Sequence, residues 1–290
     1  MSTVTRLLPV LAATALLAVG SRAQADDAPG AKPAASAPAA SGPAVRPYAI
    51  GDVVDDVTLK DFEGKPFTLS KARSVDEAAA WEAVAAAAKA TAEVGDVKAG
   101  DARELDALPG MKGDAGKRLA FARAAGKPFG LLPSEKVAAE WKTLADAAKW
   151  IQARGAAPLV FICWAQTCPT SRAYEDRFEE IASATGARVY LLATKYSEKD
   201  EDIKGYADGK GLPFRILDDR DLKLTEKLGG KRTPHAFVLD GKMSVRYGGA
   251  VDDDEKEGKS ADARANWLRD AIAAVGEDHL PRVLQTTPVG

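Results

Sequence analysis

The stretch PLVFICWAQTCPTS, residues 158–171, determines how this chain folds. Residues 158–165 form an almost continuous apolar run, which is typical of a strand buried on both faces of a sheet. Pro169 suits the first position of a helix, since a residue there needs no hydrogen-bonding N–H, and this leaves Cys168 at the N-cap. The stretch therefore predicts a buried strand that turns into a helix at Cys168.

The chain has two cysteines, Cys163 and Cys168. In an exported protein an even number of cysteines first suggests a disulfide. Cys163 lies inside the predicted strand and Cys168 lies beyond its end, and a strand that rises roughly 3.3 Å per residue carries the two Cα atoms too far apart for a bridge. We therefore predict that Cys163 is a small buried hydrophobic residue and that Cys168 is the reactive thiol.

The pattern around this stretch predicts an α/β fold. Residues 56–60 and 66–70 alternate apolar and polar side chains about a glycine turn, which indicates a β-hairpin. The rest of the order alternates strands and helices and closes with two strands joined at Asp240–Gly241, so a mixed sheet flanked by helices is expected. The predicted strands are 158–165, 188–193, 214–217, 235–239 and 244–248, and the predicted helices are 169–184, 198–208, 221–228 and 261–275.

Residues 73–155 interrupt this order and are rich in Ala, Lys and Glu. Ser74 and Glu77 have the spacing of a capping box, and Pro133–Ser134 starts a second helix. The segment is predicted to be a helical insertion without a chemical signature, in which Trp81, Trp141 and Trp150 are core residues. One apolar stripe along the second helix is formed by Val137, Trp141, Leu144, Ala148 and Ile151.

The N-terminus has the pattern of an export signal. Arg6 precedes the apolar run 7–19, which is shorter than the roughly 20 residues that cross a bilayer, and Ala23–Gln24–Ala25 fits a cleavage site. We predict a signal peptide over residues 1–25, a disordered Ala/Pro-rich linker over 26–47, and a periplasmic or extracellular product without stable membrane insertion.

The charge balance excludes some classes of function. Forty Lys and Arg residues against 42 Asp and Glu residues give a net charge of −2, which argues against a nucleic-acid partner. The few histidines and cysteines have no ligand spacing, so neither a metal nor a cofactor is predicted. The acidic run 252–254 is interpreted as a solvated loop, with a calcium or partner contact as the alternative.

Three segments resemble one family. WAQTCPTS (164–171) resembles the thioredoxin active-site segment, in which Trp-Ala precedes a Cys-x-x-Cys turn, and RTPHAFVLDGK (232–242) resembles its loop with Thr followed by a cis-proline. VTLKDFEGKPFTLS (57–70) resembles the N-terminal hairpin of redoxins, the alkyl hydroperoxide reductase/thiol-specific antioxidant family. The resemblance implies a thioredoxin-like redoxin domain over residues 48–72 and 156–290.

A narrower resemblance is to an exported bacterial subgroup with a CxxS site. It rests on the pattern from Phe161 to Tyr174, on YGGAVDD (247–253) and on TTPVG (286–290). In that subgroup TTPVG commonly leads into another cysteine, so a resolving thiol beyond Gly290 stays an open alternative.

The chemistry expected at Cys168 depends on its thiolate. Free N–H groups and the helix dipole at the N-cap favour the negative charge, whereas Glu175 and Asp176, within two turns, oppose it. The sequence predicts a modest depression of the Cys168 pKa.

Two departures from the family patterns limit the reactions that are expected at Cys168. Ser171 stands where thioredoxins have their second cysteine, so an internal disulfide cannot form, although the hydroxyl can donate to the thiolate. Peroxiredoxins typically have Thr three positions before their cysteine, where this chain has Ala165, and Thr167 is misplaced. Any adduct on Cys168 would need an outside thiol for its release.

The resemblance also supplies the remaining site residues. It makes Pro234 the cis-proline and, with Cys168 and Ser171, part of the catalytic set, with Trp164, Pro169, Thr233 and His235 as candidate supporting residues. His235 could hold the thiolate or move a proton, and a surface or hydrogen-bonded histidine is the alternative.

Two functions stay open. One is a thiol oxidoreductase or antioxidant protein that uses the single nucleophile Cys168 on disulfides or peroxides, with protein thiols or low-molecular-weight thiols as partners. The other is a redox-inactive binding module of the thioredoxin fold that acts through its helical insertion.

Overall fold

The computed structural model describes residues 46–92, 94–155, 157–255, 258–260 and 263–290. The predicted signal peptide and all of the predicted linker before residue 46 lie outside the described residues. Among the helices of this described part, none is both long enough and apolar enough to cross a membrane.

The described residues form one mixed sheet of seven strands: β1 (Thr58–Asp61), β2 (Pro66–Thr68), β3 (Leu159–Trp164), β4 (Arg188–Ala193), β5 (Arg215–Asp218), β6 (His235–Leu239) and β7 (Val245–Gly249). Their order across the sheet is β2-β1-β5-β4-β3-β6-β7, with β3, β4 and β5 parallel and the other pairs antiparallel. The predicted hairpin and mixed sheet are confirmed, and the strands after the insertion end within one residue of their predicted limits.

The helices of the described part are α1 (Glu77–Ala92), α2 (Ala115–Gly126), α3 (Glu135–Glu140), α4 (Leu144–Ala153), α5 (Pro169–Ala173), α6 (Glu175–Thr185), α7 (Asp200–Lys210), α8 (Thr225–Leu228) and α9 (Trp267–Gly276). Every residue of β3 is buried, because both faces of the sheet are covered. Val160, Ile162 and Trp164 belong to the core that includes α6 and α9, whereas Phe161 and Cys163 belong to the core beneath the β1–β2 hairpin.

Five predictions about helix limits are wrong. Two are late starts, since α8 begins at Thr225 instead of residue 221 and α9 begins at Trp267 instead of residue 261. Asp76, not Ser74, starts α1, since its Oδ1 accepts the Ala79 N–H at 2.6 Å. The single helix predicted after Ser134 is two helices, because Thr143 and Asp146 form a capping box that starts α4 afresh. The predicted helix 169–184 is divided into α5 and α6 at Tyr174.

The helices of the predicted insertion have a core of their own and also bind the sheet. Trp141 makes edge-to-face contacts with Phe121 and Trp150, so these rings pack in the core as predicted. Gly130 accepts the Val189 N–H at 2.5 Å, and a Cβ on Gly130 would lie only 2.6 Å from the Val189 carbonyl oxygen. The limits of the insertion as a separate domain remain a prediction.

Arg188 joins the two ends of the insertion at the first residue of β4. Its guanidinium donates to the carbonyls of Ala72 and Arg73, where the chain leaves the hairpin. It also donates to the Ala157 carbonyl at 2.9 Å, where the chain returns to the sheet. Arg188 is 1% exposed, so its buried guanidinium depends on these carbonyls for its hydrogen bonds.

We expect Arg188→Met to lower the free energy of unfolding by about 2 kcal/mol, since it removes the hydrogen bonds of a charged donor that joins both ends of the insertion. Arg73→Met, at an exposed position, is the matched control and should change it by no more than about 0.5 kcal/mol. Urea unfolding of both variants measures the difference. Equal stabilities for the two variants would contradict the role given to Arg188.

Candidate active site around Cys168

Two loops from different parts of the chain meet at Cys168. Cys168 is the N-cap of α5, with Pro169 in the first turn, and its Sγ accepts the Ser171 N–H at 3.5 Å. The thiol in turn donates to the Thr233 carbonyl oxygen at 3.2 Å, and the Thr233–Pro234 peptide bond is cis. The predicted N-cap and the predicted cis-proline are confirmed.

The surroundings of Cys168 lower the pKa of its thiol. Burial is the largest single influence and acts against ionisation, but hydrogen bonds with the Thr233 side chain, with Ser171 and with the Thr170 N–H together outweigh it. Cys168 is only partly buried, so the residue is in contact with solvent. Cys168 therefore combines access with a stabilised thiolate.

Cys163 has the opposite properties, and both cysteines are free thiols. Cys163 is 1% exposed, and burial raises the pKa of its thiol to about 12. Its Sγ lies 3.7 Å from the Thr225 Oγ1, which donates to Asp219 at 2.6 Å. Cys163 is a buried thiol of the core, as predicted.

Ser171 lies in the first turn of α5 and is fully buried. Among the described residues its hydroxyl has no hydrogen-bond partner, which is unfavourable by about 1–3 kcal/mol for a buried polar group. A thiolate at Cys168 would supply an acceptor, because the Ser171 side chain contributes to the lowered pKa of Cys168.

Trp164, the last residue of β3, is fully buried in the core. Its indole N–H donates to Glu175 Oε1 at 3.0 Å, and the Tyr206 hydroxyl donates to Glu175 Oε2 at 2.8 Å. Glu175 is 1% exposed, and burial raises its pKa while the bonds from Tyr206 and Trp164 act against the rise. Glu175, which the sequence predicts to oppose the thiolate, is thus a buried carboxyl that binds Trp164 and Tyr206.

His235 belongs to the face of the sheet that carries Cys163, with which it pairs across β3 and β6. Its Nδ1 accepts the Lys231 N–H at 3.3 Å, and its ring packs against Phe237. Burial and then the Lys231 charge lower its pKa to about 4, so the imidazole is neutral near pH 7. This is the hydrogen-bonded histidine that the sequence left as the alternative; any role toward the thiolate remains a prediction.

The loop before Cys168 is held by a residue that was not predicted, Glu198. Its Oε1 accepts the Thr167 N–H at 2.7 Å and the Thr167 hydroxyl at 2.6 Å, and its Oε2 accepts the Gln166 N–H at 3.3 Å. Lys195 donates to the same Thr167 hydroxyl at 2.7 Å. Glu198 follows β4, whose carboxyl end lies beside that of β3 in the parallel sheet, and this adjacency is the signal that could have identified it.

The acidic run was wrongly interpreted as a solvated loop. Asp252 is 2% exposed and Asp254 is 5% exposed. Arg177 donates to both carboxylate oxygens of Asp252 at 3.0 Å, and the Tyr174 hydroxyl donates to Oδ1 at 2.8 Å. Buried carboxylates need such partners, so the run ties the loop after β7 to the junction of α5 and α6.

Comparison with known proteins agrees with this geometry. Residues 142–265 match the Redoxin family. The thiol:disulfide interchange protein DsbE of Yersinia pestis is 30% identical over 128 residues, which are 44% of this chain and 64% of that protein. DsbE of Tatumella citrea is 35% identical over 98 residues, which are 33% of this chain and 50% of that protein. The alignments thus span half to two thirds of these relatives.

A solved structure extends the likeness in fold. A hypothetical protein from Sinorhizobium meliloti 1021 has a TM-score of 0.50 at 15% identity, over 84% of this chain and 93% of its own. The sheet, the N-capping cysteine and the cis-proline loop define a protein of the thioredoxin-like class. Within that class, residues 142–265 of the chain are similar to the Redoxin family.

We expect Ser171→Cys to form an internal disulfide with Cys168, since residue 171 lies in the helical turn that Cys168 caps and its N–H already bonds to Sγ. The oxidised variant should lose both active-site thiols in a thiol count and shift in electrophoretic mobility on reduction, and the reduced variant should reduce insulin. Ser171→Ala is the control and should keep one reactive thiol. An oxidised Ser171→Cys variant with both thiols still free would mean that the placement of Cys168 on α5 is wrong.

Proposed function

We propose that this chain is an exported thioredoxin-like thiol oxidoreductase that uses Cys168 as its single nucleophile and an outside thiol as its resolving partner. The observation that carries the proposal is the partly exposed Cys168 at the start of α5, whose pKa is lowered by hydrogen bonds with the Thr233 side chain, with Ser171 and with the Thr170 N–H. The names of the two DsbE relatives support disulfides as the substrates.

The cycle on a disulfide has two exchange steps. The Cys168 thiolate attacks one sulfur of a substrate disulfide, so that a Cys168 mixed disulfide forms and the other sulfur leaves as a thiolate that takes up a proton. An outside thiolate then attacks the mixed disulfide at the substrate sulfur and releases the Cys168 thiolate. One substrate sulfur has then become a thiol, and the other is in a disulfide with the outside thiol. A second outside thiol that attacks this disulfide completes the reduction of the substrate and leaves the two outside thiols oxidised.

A peroxide could react at the same sulfur. Cys168 would take one oxygen and become a sulfenic acid while the peroxide leaves as water or an alcohol, and two outside thiols would then restore the thiol by way of a mixed disulfide. Ala165 stands where peroxiredoxins typically have Thr, so disulfide exchange is favoured over peroxide reduction.

Export is proposed on the N-terminal pattern. Arg6, the apolar run 7–19 and Ala23–Gln24–Ala25 together have the order of a cleavable signal peptide. The proposed partners are protein thiols and disulfides or low-molecular-weight thiols in the periplasm or outside the cell.

The test is to trap the intermediate. Cys163→Ala protein, mixed with oxidised glutathione at pH 7, should gain one glutathione on Cys168, keep it through a desalting step, and lose it when an outside thiol is added. Mass spectrometry before and after the thiol measures this. Cys168→Ser, with Cys163 intact, is the control and should gain none, because Cys163 is buried and its pKa is raised to about 12.

A Cys163→Ala protein that gains no glutathione, or that reacts no faster than an ordinary exposed thiol, would contradict the proposal. That result would favour the redox-inactive binding module.

A further inference from the structure

We propose that residues 284–290, the C-terminal strap, cover the surface beside Cys168 that a polypeptide substrate would occupy, and so favour small disulfides over the disulfides of proteins. The proposal deepens the proposed function and rests on thiol exchange at Cys168. Four sets of contacts carry it.

The strap begins as an added strand on the edge of the sheet. Gly248 of β7 donates its N–H to the Leu284 carbonyl at 3.1 Å and accepts the Thr286 N–H at 3.2 Å. These bonds form a parallel bridge between Gly248 and Gln285. An edge strand offers such unpaired groups, and here the chain's own C-terminal segment occupies them.

Thr286 then fixes the strap beside β7 through its side chain. Its hydroxyl accepts the Ala250 N–H at 2.8 Å and lies 2.8 Å from the Tyr247 hydroxyl. A Cβ on Gly249 would overlap the Thr286 hydroxyl, so a side chain at this position would displace the strap. The absence of a side chain at Gly249 thus allows the strap to lie close to β7.

The end of the strap lies at the active site. Val289 packs against the core that contains Trp164, and Arg232 donates to the Gly290 carbonyl. Gly290 lies against the Thr233 carbonyl oxygen so closely that a Cβ on Gly290 would overlap it.

The Thr233 carbonyl oxygen is the acceptor of the Cys168 thiol, at 3.2 Å. The strap and Cys168 therefore both lie against the Thr233 carbonyl oxygen. A disulfide of a protein brings backbone on both sides of its sulfur, and that backbone needs the surface around Thr233. A small disulfide needs only the exposed side of the Cys168 sulfur, which stays partly exposed with the strap in place.

The test compares large and small reagents at Cys168 in a Cys163→Ala background. Alkylation rates are measured with iodoacetamide and with a maleimide coupled to polyethylene glycol. Gly249→Ala and Val289→Asp release the strap by independent routes, one by overlap with Thr286 and one by loss of an apolar contact. Gly241→Ala is the matched control, since a Cβ there meets only open space.

Both release variants should react about tenfold faster with the large reagent, the ratio expected if the strap is docked in about nine molecules out of ten. With iodoacetamide the change should stay within about twofold, since access of a small reagent does not depend on the docked fraction. Unchanged rates with the large reagent in two folded variants, or equal acceleration of both reagents, would overturn the proposal.

Exchange with insulin and with oxidised glutathione separates the strap from the proposed function. Both proposals are supported if the release variants exchange faster with insulin than the parent protein does, while their rate with oxidised glutathione changes less. If the release variants react faster with the large reagent but with neither disulfide, the strap covers Cys168 as proposed and the proposed thiol exchange is contradicted. If oxidised glutathione reacts, but the release variants react no faster than the parent with insulin or with the large reagent, the proposed thiol exchange is supported and the proposed role of the strap is contradicted.

Discussion

The structure of the site depends on one constraint, the N-cap of α5. Residue 168 must lie where the chain leaves β3 and where the first N–H groups of the helix lack helical partners. A cysteine at this position turns those N–H groups into hydrogen bonds to sulfur, and the Thr233 loop closes the other side. The lowered pKa and the partial exposure of the thiol both follow from this placement.

Much of the remaining structure keeps that junction rigid. β3 is buried between β4 and β6, Glu198 binds the loop that follows β3, and Glu175 binds Trp164 from the core. Arg188, the first residue of β4, donates hydrogen bonds to both ends of the insertion. A nucleophile whose partners come from separate loops needs such support, because a small displacement of either loop would remove the bonds that stabilise the thiolate.

The sequence predicts those features whose signals are local. The apolar run of β3 and Pro169 are adjacent to Cys168, so the strand, the N-cap and the free thiols could be predicted together. The capping signal at Thr143 is equally local but was outweighed by an apolar stripe that continues through the break between α3 and α4. Arg177 lies 75 positions from Asp252, and neither residue shows in the sequence that the other will neutralise it. Glu198 lies 31 positions from Thr167, and the adjacency of β3 and β4 in the sheet is the one signal that connects the two residues.

The most direct measurement of the central claim is the pKa of the Cys168 thiol, from the ultraviolet absorbance of its thiolate across a pH series. The Cys163→Ala variant leaves Cys168 as the one cysteine of the chain. The absorbance should rise with pH and reach half of its final value below about 8.5, the pKa of a free cysteine. A midpoint at or above that value would show that the N-cap and the Thr233 loop do not stabilise the thiolate, and it would contradict the account of this site.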